Sequence, residues 1–508
     1  MSLKRYHPFV IILEMATVLK DNIFILIILF VLNYNSTSTI MKIGRYAIVA
    51  YFIYKLIQII AKWFTHKYKV NEHSFYLYEG IFVKKERTIS FKNIQNIQRK
   101  TTGLHRILRL TSLYLDTGVG RSEEAITFPG LTIEEAERIE YMLEQSKETV
   151  EQTVMDEDSI NSEYEVEERV TTHFTPTKKD TIKASFTSLS FLIVFPLLAS
   201  LYSQLDNFID IENRAKGMLL PILQSKITVA LIILAITFIS IAFGFISTYL
   251  KYGKYEIRSD EERIYITQGV LNETSFSIIK NNVQAIVIKQ SMMKRILRLA
   301  EVRLVSVSSQ QVTETESEVS TLYPFLPVDR AYDMIQELLP AYKVTESMER
   351  LSKQSLIYRL LKPSGMWLIA SAILIYNRPL FLGMKHSWWM MIILLLLAIL
   401  LMRIIDYVQT RYTFDKDRVQ IRTGSLQTSL FITNRKKVIE AVVTENILQR
   451  YFKLSTVKLA TRENPAHYAF LEDISINRAN DFFAWYRERV TDVNYDSKTD
   501  GRGDYYYE

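Results

Sequence analysis

The segment His105 to Leu110 reads HRILRL, and Lys294 to Leu299 reads KRILRL. Three stretches around these hexamers align without a gap on Gly80, Gly269 and Gly424. Ile94, Val283 and Val438 then coincide, as do Arg106, Arg295 and Arg450, and after them Leu110, Leu299 and Leu454. The chain is one unit used three times, and a period of this kind decides the architecture before any local motif does. Each copy is a pair of apolar segments followed by a module of roughly 80 to 100 residues.

Within a copy the pattern is mostly β. FYLYEG, RTISF, IQNIQ, SLYLDT and AITF alternate or run apolar over short stretches rich in Ile, Tyr, Phe and Thr, as strands do. The aligned glycines suit turns with positive φ. A helix closes each module: Thr132 and Glu135 form a capping-box pattern, Asp329 is positioned to cap the second helix and Asn477 the third. The fold class expected is an α+β membrane protein, with modules that are strand-rich barrels or sandwiches sealed by a C-terminal helix.

The apolar segments set the rest. The chain is 48% hydrophobic, more than a soluble domain usually needs. Runs of about 20 residues suffice to cross the hydrocarbon. Six are expected, near 22–41, 44–64, 184–202, 227–250, 365–382 and 388–405, in three hairpins. The fifth is interrupted by Asn377, Arg378 and Pro379, which suits a re-entrant or tightly turned segment. Residues before the first span read as an interfacial helix. Lys4, Arg5, Lys62, Lys67, Lys69, Lys251 and Lys254 place the modules on the cytoplasmic side; Lys42, Arg45 and Lys226 weaken that asymmetry. The expected divisions are 1–66 (interfacial helix and first hairpin), 67–147 (first module), 148–183 (acidic linker), 184–252 (second hairpin), 253–341 (second module), 342–408 (linker and third hairpin), 409–492 (third module) and 493–508 (flexible tail).

The order Tyr, Gly, a V/I-Q-x-I strand and then R-x-x-R/K-L resembles the bacterial pleckstrin-homology-like membrane proteins of the YdbS and YdbT type. The likeness covers nearly the whole chain, and the three-copy layout is similar to the long, YdbT-like members. It implies paired transmembrane helices ahead of each module, in a multi-pass protein of the bacterial cell membrane. The third copy departs most, with Ile439 in place of Gln95 and Gln284, and Tyr451 and Phe452 inside the hexamer.

Candidate contact residues are the basic positions of the hexamer: Arg106, Arg109, Arg295, Arg298, Arg450 and Lys453. Three-residue spacing puts Arg106 and Arg109 on one face of a short helix and Ile107 and Leu110 on another. Two readings stand: a packed linker whose arginines are solvated or paired, or a basic face that meets anionic headgroups or a partner. The loops between the first two strands, NEHS, RSDEER and DKDR, are acidic or mixed and do not suit phosphoinositide binding. Lys55 is the ionisable side chain lying well inside a predicted span, a candidate by position.

A catalytic constellation is not found. The seven histidines are scattered, there is no cysteine, and no HExxH, Walker loop, GxGxxG or G-x-S-x-G occurs. No cofactor, metal or nucleic acid is implied. The expected function is a non-enzymatic integral membrane scaffold whose modules bind a partner protein, each other or the inner leaflet, in support of envelope integrity or resistance to membrane-active agents. Candidate partners are anionic lipid headgroups, weakly bound, and another membrane protein such as a shorter relative; homo- or hetero-oligomers are both open. The alternative is a transporter or exporter component, which would require polar groups along several spans.

Overall fold

The computed structural model describes residues 3–32, 38–116 apart from 72, 82 and 95, 126–143, 170–187, 226–306, 321–377 apart from 346, 387–463 apart from 416, and 466–488. Most of the acidic linker, the third predicted span beyond residue 187 and the tail lie outside the described residues. The chain forms two compact units, Met1–Ile279 and Lys280–Glu508.

The first unit begins with β1 (Lys4–Arg5) and α1 (Val10–Asp21), the helix expected ahead of the first span. A helical piece, Ile23–Leu26, continues as a π-helix over Ile27–Leu32, and α2 spans Thr39–Thr65. Then come β2 (Lys67–Val70), β3 (Ser74–Glu79), β4 (Lys85–Ser90), β5 (Asn96–Thr101), the short α3 (Gly103–Ile107), β6 (Leu110–Asp116), β7 (Ile126–Thr132) and α4 (133–143). β8 (Thr171–Phe174), α5 (Lys178–Thr187), α6 (Lys226–Tyr252), β9 (Glu256–Ser259), β10 (Arg263–Gln268) and β11 (Glu273–Ile279) complete it.

The second unit runs β12 (Val283–Gln290), α7 (Met292–Ile296), β13 (Leu299–Ser306), β14 (Leu326–Pro327), α8 (Val328–Leu338), β15 (Glu349–Arg350), α9 (Lys353–Leu361), α10 (Gly365–Asn377) and α11 (Ser387–Gln409). After α11 follow β16 (Arg411–Phe414), β17 (Arg418–Thr423), β18 (Thr428–Asn434), β19 (Val438–Thr444), α12 (Ile447–Tyr451), β20 (Leu454–Thr461), β21 (His467–Ser475) and α13 (Ile476–Arg487).

The strands assemble across module boundaries. Sheets of four (β1-β2-β3-β4), seven (β7-β6-β5-β11-β10-β9-β8), seven (β14-β13-β12-β18-β17-β16-β15) and three strands (β19-β20-β21) result, all antiparallel. Alternation explains the inner faces: Phe75 and Leu77 of β3 and Leu113 and Leu115 of β6 are buried, and they meet Phe128, Ile139 and Leu143 in one core. Val457, Leu459, Leu471, Phe482 and Trp485 form the counterpart in the third module. Ile94, Val283 and Val438 are all buried, which accounts for their coincidence in the repeat.

Two expectations change. Among the described residues, two helices are long and apolar enough to cross a membrane, Met41–Thr65 and Trp388–Gln409, against six expected spans. At the fifth, the described part is α10 with 13 residues, about 20 Å at 1.5 Å each, and 378–382 lie outside the described residues. Within the first predicted span the described residues form the piece Ile23–Leu32 and the start of α2, with 33–37 outside the described residues, whereas α6, 27 residues long, falls at the fourth. The caps also differ. Thr132 does accept the Glu135 N–H, but the Glu135 carboxylate pairs with Lys4 at 2.7 Å. Asp329 and Asn477 lie inside the first turns of α8 and α13, after Pro327 and Ser475, so neither caps.

Candidate functional site

The hexamer builds the same device three times. Thr102, Ser291 and Asn446 precede α3, α7 and α12, and each side chain accepts the N–H of the third helical residue. Each helix lasts five residues. Arg109, Arg298 and Lys453 then take φ of 52°, 51° and 54°, a left-handed conformation that is uncommon away from glycine. The reversal lets Arg109 N–H reach the Arg106 carbonyl, as helix-ending motifs do. The carbonyls of Arg298 and Lys453 accept the first N–H of α8 and α13. Leu110, Leu299 and Leu454 begin the next strand fully buried. Arg106 and Arg109 therefore do not share a helical face, because Arg109 lies past the helix end. Ile107 and Leu110 part likewise: Ile107 is exposed and Leu110 is core.

The first arginine reaches the following module. Arg106 donates to the Val270 carbonyl at 2.9 Å and to Glu273 at 2.8 Å, and Gly103 N–H donates to Asn272. Arg295 donates to the Ser425 carbonyl at 3.3 Å. Val270 and Ser425 are equivalent, each following an aligned glycine. Those glycines need positive φ, +98° at Gly269 and +116° at Gly424, and a Cβ at either would lie 2.0 Å from a carbonyl oxygen of the turn. Both turns rest on the end of a long helix: Val270 N–H donates to Leu250 of α6, and Gly424 N–H to Asp406 of α11.

Strand pairing completes each joint. In the first, Thr101 faces Glu273 and Gln98 faces Phe276. In the second, Gln290 faces Thr428 and Ala285 faces Thr433. Thr101 and Gln290 are equivalent, as are Glu273 and Thr428, so both joints share one register. The Arg106–Glu273 pair is about half exposed on both sides and is worth about 0–1 kcal/mol; the ladder holds the joint and the arginine fixes its position. Arg450 has no such turn among the described residues; its side chain is 81% exposed and lies 3.8 Å from Glu445.

One polar position, buried in the first and third copies and partly buried in the second, carries three chemistries. His105 joins Thr102 at 2.6 Å and Ser112 at 3.0 Å. Its equivalent Lys294 bonds Glu301 at 2.7 Å, and Gln449 bonds Thr456 at 2.9 Å. Ser112, Glu301 and Thr456 are themselves equivalent, so the partner changes with the side chain. Burial, and then the nearby Lys100, push the His105 pKa below its usual value of 6.5. With a depressed folded value, the unfolded chain takes up the proton first as pH falls. The stabilisation is therefore complete above pH 6.5 and is lost as pH drops through the folded value. His105→Gln should flatten the pH dependence of first-module stability between pH 7 and 5, followed by amide exchange in β6; an unchanged slope would assign it elsewhere.

Sequence reasoning missed a buried charge cluster. Arg359 of α9 donates to Asp473 of β21 at 2.9 Å, to Asp406 of α11 at 2.6 Å and to the Glu472 carbonyl. Asp473 is 1% exposed at φ 63° and also accepts from Gln449. The cluster ties α11, a helix long and apolar enough to cross a membrane, to the third module. Asp406 in the last turns of an apolar helix was the available signal.

The remaining candidates are more local. Lys55 in α2 donates to Gln58 at 3.2 Å. A cavity of about 560 Å³ opens over β5, β9, β10 and β11. Its Arg99 meets Glu140, Arg106 meets Glu273 and Arg258 meets Glu256, leaving little net charge to select an anion. No cluster of three metal-capable side chains occurs among the described residues. His386 lies outside them.

Three segments, residues 11–147, 216–342 and 368–490, match the Bacterial PH domain family. The chain belongs to that family, in a three-module form. It is similar to the UPF0699 transmembrane protein YdbT of Bacillus subtilis (strain 168), 24% identical over 496 residues that cover 96% of this chain and 99% of the relative. No solved structure matches it.

Proposed function

We propose that the chain is a non-enzymatic membrane scaffold whose PH-like modules grip one another by strand addition and lie against the inner leaflet, in support of envelope integrity. The observation that carries this reading is the placing of each joint at the end of a long helix, α6 or α11. There the short helices expose Leu104 and Ile107 in α3, and Met292, Met293 and Ile296 in α7. Exposed apolar groups beside the exit of a spanning helix suit the headgroup boundary. Arg106 and Arg295 are engaged in the joints, so headgroup contact falls to the residue after each short helix, the exposed Arg109, Arg298 and Lys453. Each contributes about 1 kcal/mol near an anionic surface, and tethering raises the effective concentration. The relative's description as a transmembrane protein supports a membrane setting.

Spin labels test it cleanly because the chain has no cysteine. Labels at Ile107→Cys and Ile296→Cys in anionic bilayers should collide with oxygen more than with a water-soluble nickel chelate. Labels open to the chelate at both positions would remove the leaflet contact from the reading.

A further inference from the structure

The two joints consume the N-terminal half-sheets of the second and third modules and the C-terminal half-sheets of the first and second. Among the described residues two halves are left: the four strands β1-β2-β3-β4, ending on β4, and the three strands β19-β20-β21, ending on β19. Four and three strands make the seven of each completed sheet, in the same order, with β4 equivalent to β11 and β18, and β19 equivalent to β5 and β12. We infer that the free β19 edge of one molecule takes the β4 edge of a second copy of this chain, so that the protein associates head to tail by repeating its own internal joint.

The register carries over. Since Thr101 faces Glu273 and Gln290 faces Thr428, the equivalent pair is Glu445 with Lys84 of the second copy. Thr444 then faces Lys85, and Val443 faces Glu86. Arg450, equivalent to Arg106 and Arg295, reaches the Ile81 carbonyl, equivalent to those of Val270 and Ser425. Its guanidinium is 81% exposed and meets Glu445 of its own chain only loosely, at 3.8 Å, which leaves it able to reach the second copy. Ile447 and Tyr451 of α12 are 92% and 83% exposed beside it.

Charge agrees with this fit. The segment Val438 to Glu445 carries Glu440 and Glu445 and no basic residue, whereas Lys84 to Ser90 carries Lys84, Lys85 and Arg87 against Glu86. Exposed lysines on an edge strand commonly prevent pairing with like edges; with Lys84 opposite Glu445 in this register, they select β19 over another β4. The contact joins two different surfaces, so it is heterologous and extends into a ring or a row.

The inference rests on the strand-addition reading of the joints, and the two can fail separately. Two differently tagged full-length chains, one Thr444→Cys and one Lys85→Cys, are co-produced and oxidised in native membranes, with Val443→Cys and Glu86→Cys as the neighbouring pair of the same register. A mixed disulfide dimer is expected at one pair or the other, reduced by Glu445→Lys and recovered when Lys84→Glu is added to the other chain. If neither pair cross-links while Lys100→Cys with Thr274→Cys, or Arg99→Cys with Ser275→Cys, closes within one chain, the second copy is not the occupant and the joint reading stands. If a Thr444→Cys, Lys85→Cys double variant closes only within its own chain, the head-to-tail association is likewise overturned.

Discussion

Arg359→Met should destabilise the C-terminal module by about 3–5 kcal/mol, the cost of leaving a buried carboxylate without its cation. Asp473 is 1% exposed and cannot turn to water, and the Arg359 side chain is itself 7% exposed. At 1.36 kcal/mol per factor of ten, amides of β20 and β21 should lose roughly two to four orders of magnitude of exchange protection. Asp473→Asn should cost less. Asn tolerates the left-handed backbone there, and Arg359 keeps Asp406 and the Glu472 carbonyl. Equal effects of the two variants would mean that the backbone at 473, rather than the charge, is what the fold requires.

The second large effect is expected at the joint between the second and third modules. Val287 lies in β12, opposite Arg303 of β13 and Phe431 of β18, and is 2% exposed. Val287→Pro removes a ladder N–H from a central strand. The orphaned acceptor costs about 1–3 kcal/mol, and the lost apolar packing adds about 1.5 kcal/mol or more. Val442 is the equivalent residue in β19, which pairs only with β20 among the described residues. Val442→Pro should therefore cost clearly less in amide exchange of the detergent-solubilised chain. Equal losses would imply that β19 is already paired as β12 is.

Strands, turns and the closing helices were legible in the sequence because period-two alternation, paired with glycines of positive φ, leaves few other folds. FYLYEG became β3 and its Gly80, and the gapless coincidence of Ile94, Val283 and Val438 became three buried positions. Strand exchange between modules was not legible, because local patterning does not say whose edge a strand meets. The hexamer misled for a related reason. Its spacing reads as one helical face, yet Arg109, Arg298 and Lys453 adopt a left-handed backbone that arginine and lysine do not advertise. Arg359 was equally hidden, since its partners Asp406 and Asp473 lie 47 and 114 residues away.

The shared sheet at the first joint can be read directly by cross-linking in the full-length chain. Lys100 faces Thr274 and Arg99 faces Ser275; of two adjacent antiparallel pairs, one is the closer, non-hydrogen-bonded kind, within reach of a disulfide. Oxidation in membranes should close Lys100→Cys with Thr274→Cys, or Arg99→Cys with Ser275→Cys, rapidly and within single chains. The displaced pair Thr101→Cys with Phe276→Cys should stay reduced. Chains that accumulate normally yet close neither in-register pair, or close the displaced one as fast, would contradict the shared sheet.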